Sequence, residues 1–398
     1  MNCRICNSDL LELVIDLGKQ PWGNNFLKKE EIGKEKKYPL QVVYCHGCKT
    51  AQLSHTVEKE VMFGNHTYLS GITDTLNNHF KEIAEYVDKR FFKEKKDKSI
   101  LDIGSNDGTQ LRHYKDLGYE ILGIESAKGI SKMANDQGIN TINEFFNLDS
   151  ACRLGQKFDL INASGVFFHL EELHSVTEGI KQALKEEGVF VVQFLYMKKI
   201  MENLAFDQIY HEHLLYYNLQ TIRVLLSLHD LFLFDAYLSP IHGGSIIGFI
   251  CHKGKRTKSK RLMKMIGEEK ICKSNEIEAY QSFAKTIKEI KKKNLSFLNG
   301  ARDKKKIIYG MGAPVKGNTL LNYFGITSQQ IRYLVEKNEL RNGLYSPGSH
   351  IPIILEKDIK TPPDIYYVLA WNFKKEILEK NKELIKQGTK FYLPVDPK

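Results

Sequence analysis

The stretch IYHEHLLYY, residues 209 to 217, places groups able to move protons inside an apolar frame. Tyr210, His211, Glu212 and His213 follow one another in it. A histidine is a competent base near neutral pH, and a carboxylate partner raises its basicity. Tyr210 and His213 lie three positions apart and share a face on a short turn or helix. The pattern predicts a proton-transfer site; alternatively, each residue could be an interface side chain with satisfied polar atoms.

The segment ILDIGSNDGTQL, residues 100 to 111, predicts a strand, a glycine-bearing turn and a helix start. Gly104 and Gly108 permit a tight turn and close approach of a ligand. Glu125 ends the next predicted strand, where a carboxylate can accept both hydroxyls of a ribose. The G-x-x-x-G spacing after Asp102 favours S-adenosylmethionine over NAD, which is typically bound by G-x-G-x-x-G. Glycines that serve only the turn, or another nucleotide, are the alternatives. The predicted cofactor-binding residues are Asp102, Gly104, Ser105, Asn106, Gly108, Glu125, Ser126 and Ser164.

A second strand, glycine-rich loop and helix are predicted at YGMGAPVKGN, residues 309 to 318. The backbone N–H groups of such a loop, together with Lys316, could hold a phosphate at the helix N-terminus. The motif is weak by itself, because an ordinary α/β turn has the same appearance. A nucleotide or diphosphate site and a plain turn both stay open here.

Four cysteines form two C-x-x-C pairs, CRIC with Cys3 and Cys6, and CHGC with Cys45 and Cys48. Four thiolates suit a closed tetrahedral zinc site that leaves no position for water, so the predicted metal is structural. The alternative is four cysteines paired by chance. His46, inside the second pair, is predicted to stay outside the site.

The order of predicted elements indicates an α/β protein with three parts. Strands and helices alternate from about residue 99, which is typical of a parallel sheet. The last two strands, LFLFDAY and SIIGFICH, follow each other without a helix, as is usual in methyltransferases that use S-adenosylmethionine. Residues 256–300 are predicted to be helical, with Gly300 as the stop. We predict a zinc-binding module over 1–70, a Rossmann-like class I methyltransferase domain over 71–255, and a helical linker with a second Rossmann-like domain over 256–398.

The net charge of +10 and pI of 9.0 suggest an anionic partner such as a nucleotide, nucleic acid or phosphorylated substrate. The N-terminus has no apolar signal segment, and no apolar run approaches the ~18 residues of a membrane span, so we predict a cytoplasmic location. A zinc-ribbon RNA methyltransferase is one alternative. The lysines lack the interleaved aromatic residues of a stacking platform, however, so we expect no nucleic acid. A non-catalytic nucleotide-sugar-binding module is another.

Taken together, the motifs resemble the three-domain sugar C-methyltransferases that use S-adenosylmethionine and act on nucleotide-linked keto-deoxyhexoses. The resemblance covers nearly the whole chain. It rests on the two cysteine pairs, LDIGSNDG, IYHEHLLYY, HGGS at 242 to 245, GAPVKGNTLLNYFGI at 312 to 326, SPGSHIPI at 346 to 353 and LAWNF at 369 to 373.

The resemblance implies methylation of C3 of an NDP-4-keto-6-deoxyhexose, whose C3 proton is acidified by the adjacent carbonyl. A base removes that proton, and the resulting enolate takes the methyl group. It implies that His213 is the base, Glu212 its partner and Tyr210 a donor to the developing oxyanion. It also implies that His169 is a second active-site histidine and that Tyr68 lies in a loop closing over the site. The resemblance also implies that the C-terminal domain binds the nucleotide-sugar. The predicted substrate-binding residues are His242, Gly243, Gly312, Lys316, Asn318, Glu336 and His350.

Three segments depart from the family pattern. Ser164 and Gly165 stand where an Asn-Asn segment is usual, and His66 stands where a tyrosine is common. Glu336 replaces the usual aspartate, which is a conservative change. The first two segments belong to the implied active site, so an O- or N-methyltransferase on the same scaffold stays an alternative. The oligomeric state stays open, and a monomer is compatible with the sequence.

Overall fold

The computed structural model describes residues 1–64 and 69–396, and it contains three β-sheets joined by helices. The predicted loop residue Tyr68 and the departure at His66 lie outside the described residues. Helices in the described part of the chain are all too short or too polar to span a bilayer. The predicted α/β fold with three parts is confirmed by the order of elements.

The N-terminal sheet is antiparallel and has the order β1-β2-β3-β9. Its strands are β1 (Leu11–Pro21), β2 (Lys37–Cys45), β3 (Ala51–Leu53) and β9 (Leu215–Tyr216). The last strand comes from the end of the IYHEHLLYY stretch, where Ala51 pairs with Tyr216 and Gln52 with Leu215. The zinc-binding module therefore holds one end of the predicted catalytic segment through sheet hydrogen bonds.

The central sheet has the order β10-β11-β8-β7-β4-β5-β6. Its strands are β4 (Lys98–Ile103), β5 (Tyr119–Ile124), β6 (Thr141–Ile142), β7 (Phe158–Ser164), β8 (Leu184–Leu195), β10 (Leu231–Ser239) and β11 (Ser245–His252). The first five strands are parallel to one another. Strands β10 and β11 form the predicted hairpin, and β11 is antiparallel to both of its neighbours, β10 and β8. The chain reverses its direction of winding at β4, and ligands of open α/β sheets bind at such a switch point, beyond the carboxyl ends of the strands.

Helices cover both faces of this sheet, which explains why its inner strands are apolar almost throughout. They are α1 (Lys59–Phe63), α2 (Asp74–Val87), α3 (Thr109–Asp116), α4 (Lys128–Asp136), α5 (Leu148–Leu154), α6 (Leu173–Ala183), α7 (Met197–Glu202) and α8 (Leu219–Ser227). Local signals start several of them, because the side chains of Thr73, Asn147 and Asn218 accept N–H bonds of the first turn.

Two long helices, α9 (Lys260–Ile271) and α10 (Ile277–Asp303), connect the central sheet to the last domain. The prediction that Gly300 stops the second helix is wrong, since the helix continues to Asp303. Gly300 faces open space, and a single exposed glycine costs a helix only about 1 kcal/mol, too little to end one held by its packed face.

The C-terminal sheet is parallel, with the order β14-β13-β12-β15-β16. Its strands are β12 (Ile308–Met311), β13 (Tyr333–Glu336), β14 (Ile353–Leu355), β15 (Ile365–Val368) and β16 (Lys390–Tyr392), and its helices are α11 (Val315–Phe324), α12 (Lys374–Lys380) and α13 (Lys382–Lys386). Leu27 and Tyr345 exchange backbone hydrogen bonds, so this domain also contacts the N-terminal module.

Candidate active site

The glycine-rich turn after β4 has the geometry of a ligand cradle. Gly104 and Gly108 adopt left-handed conformations, with φ of 68° and 76°. A Cβ atom at Gly104 would lie 2.5 Å from the Val166 side chain, and one at Gly108 would lie 2.7 Å from Ile139. Only glycine therefore fits both positions, because Val166 and Ile139 pack directly against the backbone of the turn.

Glu125 is placed directly beside this turn. Its carboxylate accepts the backbone N–H of Asn106 at 3.0 Å and that of Ala127 at 2.8 Å. The Ser126 hydroxyl lies at the limit of hydrogen-bonding distance, 3.5 Å from the same carboxylate. A buried carboxylate held in place by backbone donors is pre-organised to accept hydroxyl groups of a ribose.

Polar groups also line the floor under the turn. Asn162 donates to Asp102 at 2.6 Å, and burial together with the nearby charge of Glu125 raises the pKa of Asp102 to about 7. Ser164 follows on the same strand as Asn162. The buried Ser105 hydroxyl has no hydrogen-bond partner among the residues the structure describes. These residues and the glycine cradle fit S-adenosylmethionine, and all the predicted cofactor residues meet at this edge of the sheet.

The segment that follows the predicted tyrosine loop lies across the turn. The backbone N–H of Ser70 donates to Asn106, and that of Gly71 donates to the Asp107 carboxylate at 2.9 Å. Sequence reasoning missed Asp107, although its acidic side chain within SNDG was a signal. The segment just after Tyr68 is thus fixed to the cofactor loop.

His213 is buried, and its Nδ1 donates to the backbone carbonyl of Gln208 at 2.7 Å. Because a carbonyl only accepts, the Nδ1 atom carries the proton and Nε2 holds the lone pair. The ring centroid of Tyr210 lies 3.9 Å from that of His213. Burial lowers the pKa of His213 well below its ordinary value, and positive charge on His169 or His242 lowers it further.

His169 is oriented in the same manner, because its Nδ1 donates to the backbone carbonyl of Glu212 at 2.6 Å. Its ring lies 5.2 Å from that of His213, and Phe168 contacts both. The Glu212 carboxylate accepts the indole N–H of Trp22 at 2.7 Å. The bond that orients His213 therefore comes from a backbone carbonyl, whereas the sequence predicted the Glu212 carboxylate for that role.

A second polar cluster joins the segment before His213 to the C-terminal domain. The indole N–H of Trp371 donates to the buried Asp207 carboxylate at 2.6 Å. The Lys316 ammonium lies 3.8 Å from that carboxylate and 3.7 Å from the centre of the Trp371 ring. Its burial lowers the pKa of Lys316. Gly243 packs against the same tryptophan, since a Cβ there would lie 3.3 Å from the ring.

His242 lines the cleft beside this cluster. Its backbone is left-handed, with φ of 56°, and its carbonyl accepts the side-chain amide of Gln208 at 3.2 Å. The residue is exposed, although protein atoms around its imidazole remove part of its hydration. This enclosure and the charge of Lys316 lower the pKa of His242. The predicted residues His242, Gly243 and Lys316 are therefore brought together close to His213.

The other predicted substrate residues lie elsewhere in the C-terminal domain. Glu336 accepts the backbone N–H of Ala313, next to Gly312 in the second glycine loop, and pairs with Arg341 at 3.3 Å. Two further side chains contact the N-terminal module: Asn318 donates to the Gly23 carbonyl at 2.7 Å, and His350 contacts Glu35 at 2.5 Å.

Besides Asp107, sequence reasoning missed five residues at or near the site: Trp22, His79, Asp207, Gln208 and Trp371. His79 is buried on α2 and bonds to Gln193, the strand neighbour of Ser164. Its signal was a polar side chain within the apolar stripe of that helix. The two tryptophans and Asp207 are far apart in sequence, so no local pattern could have connected them.

The four cysteines of the N-terminal module converge as predicted. Their sulfur atoms all lie within 4.8 Å of one another, and the shortest separations are 3.5 Å for Cys3 and Cys48 and 3.6 Å for Cys6 and Cys45. A tetrahedral zinc ion with ~2.3 Å bonds needs sulfur atoms about 3.8 Å apart. The cluster fits a closed zinc site with a structural role and no part in proton transfer.

Replacing a ligand should reveal the structural role of the zinc. We expect Cys45→Ser to lose bound zinc and to lower the free energy of unfolding by about 3 kcal/mol or more, because structural zinc contributes ~10 kcal/mol to small modules. Metal analysis and thermal unfolding measure both effects. Cys152→Ser is the matched control, since Cys152 is exposed and outside the cluster. A zinc-free Cys45→Ser protein of unchanged stability would contradict the structural role.

The cradle can be tested by adding one methyl group. We expect Gly104→Ala to weaken binding of S-adenosylmethionine at least ~10-fold, because the added Cβ clashes with Val166 and the left-handed backbone costs about 1 kcal/mol. Calorimetric titration measures the affinity. Gly129→Ala, where the new methyl group meets open space, should bind as the unchanged protein does. Equal affinities for the two variants would count against the cradle.

Comparison with known proteins agrees with this geometry in all three parts. Residues 3–63 match a family model described as "Putative zinc binding domain", residues 76–232 match a methyltransferase domain, and residues 240–396 match a C-methyltransferase C-terminal domain. The chain is 29% identical over 399 residues to the C-methyltransferase NovU of Streptomyces niveus, an alignment that covers 99% of this chain and 95% of that protein.

Two solved structures also resemble part of the chain. Magnesium protoporphyrin IX methyltransferase from Synechocystis PCC 6803 is 10% identical, with a TM-score of 0.34 over 44% of this chain and 79% of that one. The PH0226 protein from Pyrococcus horikoshii OT3 is 16% identical, with a TM-score of 0.36 over 50% of this chain and 100% of that one. Scores this low carry no argument. The three domain matches do, and by them the chain combines a zinc-binding domain, a methyltransferase domain and a C-methyltransferase C-terminal domain in one enzyme that depends on S-adenosylmethionine.

Proposed function

We propose that this enzyme methylates C3 of an NDP-4-keto-6-deoxyhexose, with His213 as the base. The observation that carries the proposal is the bond from His213 Nδ1 to the Gln208 carbonyl, which commits the proton to Nδ1 and the lone pair to Nε2. Carbon methylation requires removal of a proton from carbon, so a pre-oriented neutral imidazole is the group that this reaction needs.

The lowered pKa of His213 suits a carbon acid that is already activated. A neutral imidazole is present at neutral pH, and the carbonyl adjacent to C3 delocalises the charge left by the departing proton. Tyr210, whose ring lies against His213, is the proposed donor to the enolate oxygen, and His169 is the proposed second histidine of the active site. S-adenosylmethionine, when bound, supplies the electrophilic methyl group.

The positive charge of Lys316 supports a nucleoside diphosphate as the part of the substrate that the C-terminal domain binds. The Lys316 ammonium makes no hydrogen bond within the ranges 1–64 and 69–396 and follows the second glycine loop at the start of α11. Diphosphate oxygens would supply the missing acceptors. We assign Lys316, His242 and Gly243 to this part of the substrate, and Gly312, Asn318, Glu336 and His350 to the surrounding nucleotide-binding surface.

Isotope exchange tests the proposed base without methyl transfer. We expect the C3 proton of a TDP-4-keto-deoxyhexose to exchange with D2O in the presence of enzyme and S-adenosylhomocysteine. His213→Ala should slow this exchange by about 10²–10⁴-fold, the usual contribution of a general base. Proton NMR follows the C3 signal.

The exposed His174 on α6 offers the control, and His174→Ala should exchange at the unchanged rate. Confirmed sugar binding without exchange would instead favour transfer to oxygen or nitrogen, the alternative that the departures at Ser164 and Gly165 left open.

The pH dependence of methyl transfer follows from the lowered pKa of His213. The base works when neutral, so activity should persist as the pH falls below ~6.5, the ordinary value for histidine, and should disappear only as the pH falls through the lowered pKa. Initial rates at low substrate concentration measure this loss of activity on the acid side of the pH profile, and circular dichroism is the control for unfolding. An acid limb at or above ~6.5 would exclude a buried neutral imidazole as the base.

A further inference from the structure

Two tryptophans are present in the sequence, and each flanking domain contributes one of them. Trp22 of the N-terminal module donates its indole N–H to Glu212 at 2.7 Å. Trp371 of the C-terminal domain donates its indole N–H to Asp207 at 2.6 Å. Both acceptors are carboxylates, which form the stronger class of hydrogen bond. The catalytic segment between residues 207 and 212 is thus held at each end by an indole.

Each of these bonds lies next to a carbonyl that orients an active-site histidine. Asp207 precedes Gln208, whose carbonyl accepts from His213 Nδ1 at 2.7 Å. Glu212 itself provides the carbonyl that accepts from His169 Nδ1 at 2.6 Å. At Glu212, therefore, one residue both binds a tryptophan through its side chain and orients a histidine through its carbonyl. At the other end of the segment, these two contacts are made by the neighbouring residues Asp207 and Gln208.

The segment has little regular structure that could hold these carbonyls without help. Residues 206–208 form one 3-10 turn, and the next strand, β9, has two residues. A carbonyl at the end of a single turn can rotate when its anchor is lost. Asp207 is 0% exposed and Trp371 is 2% exposed, so their bond is shielded from competing water.

We propose that Trp371 and Trp22 are positioning residues, each of which sets the tautomer of one active-site histidine through the catalytic segment. Trp371 acts on His213 through Asp207 and Gln208, and Trp22 acts on His169 through Glu212. Each flanking domain thereby controls one imidazole. The importance of this control for catalysis rests on the proposed function, whereas the tautomers themselves can be observed without any sugar substrate.

The test uses full-length enzyme, saturated with S-adenosylhomocysteine and labelled with ¹⁵N in its histidine rings. The variants are Trp371→Phe and Trp22→Phe, which remove an indole N–H and keep an aromatic ring. We expect Trp371→Phe to convert the single Nδ1–H signal of His213 into a mixture of tautomers and to leave His169 unchanged. Trp22→Phe should do the reverse. His213→Ala and His169→Ala assign the signals, and His252, bonded to the Leu184 carbonyl, is the internal reference.

Asp207→Asn is the conservative variant, because its amide oxygen can still accept the indole N–H, and we expect it to keep the tautomer of His213. If Trp371→Phe does not fold, benzothienylalanine at position 371 replaces only the N–H by sulfur and preserves the ring shape. Unchanged signals of both histidines in folded variants would overturn the proposal. Equal disturbance of both histidines by either variant would also overturn it, because that result indicates general loosening.

Kinetics then connect the tautomers to catalysis. Displacement of a catalytic group by ~1 Å costs up to about 100-fold in rate, so we expect Trp371→Phe to lower kcat by at least ~10-fold with a much smaller change in KM. A shifted tautomer with unchanged kcat on the accepted substrate would contradict His213 as the base and leave the positioning role intact. An unchanged tautomer would contradict the positioning role alone.

Discussion

The hydrogen bond from His213 to the carbonyl of Gln208 is the constraint on which the active site depends. An imidazole can hold its proton on either nitrogen, and only the form with a lone pair on Nε2 presents a base at that atom. Because the acceptor is a backbone carbonyl, the tautomer is controlled by the path of the chain. Whatever holds residues 206 to 213 in place therefore determines which nitrogen of His213 is available for the proposed proton transfer.

All three domains hold that path. The N-terminal sheet takes β9 as its last strand, and Trp22 binds Glu212. The central domain supplies His169. The C-terminal domain contributes Trp371, which fixes Asp207. The cysteine cluster belongs to the domain whose sheet includes residues next to His213, the proposed base, and its four sulfur atoms leave no position for a substrate.

The two glycine loops share one arrangement. Glu125 accepts the N–H of Asn106 after β4, and Glu336 accepts the N–H of Ala313 after β12. Glu336 also pairs with Arg341, which in turn stacks on Phe26 of the N-terminal module. The carboxylate of the C-terminal loop is therefore balanced by a cation before any ligand binds.

The sequence by itself determined the features that depend on local pattern. Alternation of apolar strands and helices, paired cysteines, and glycines at left-handed positions such as Gly104 are local requirements, and they led to the α/β fold, the zinc site and the cofactor cradle. The stop predicted at Gly300 was wrong, because packing of α10 outweighs the preference of one exposed glycine. The acceptor that orients His213 lies only five residues away, yet no sequence pattern pointed to it. Tertiary structure alone decided what binds Glu212 and Asp207. Those partners lie 190 and 164 residues away from the two tryptophans, and no spacing rule connects groups that only the packing of three domains brings together.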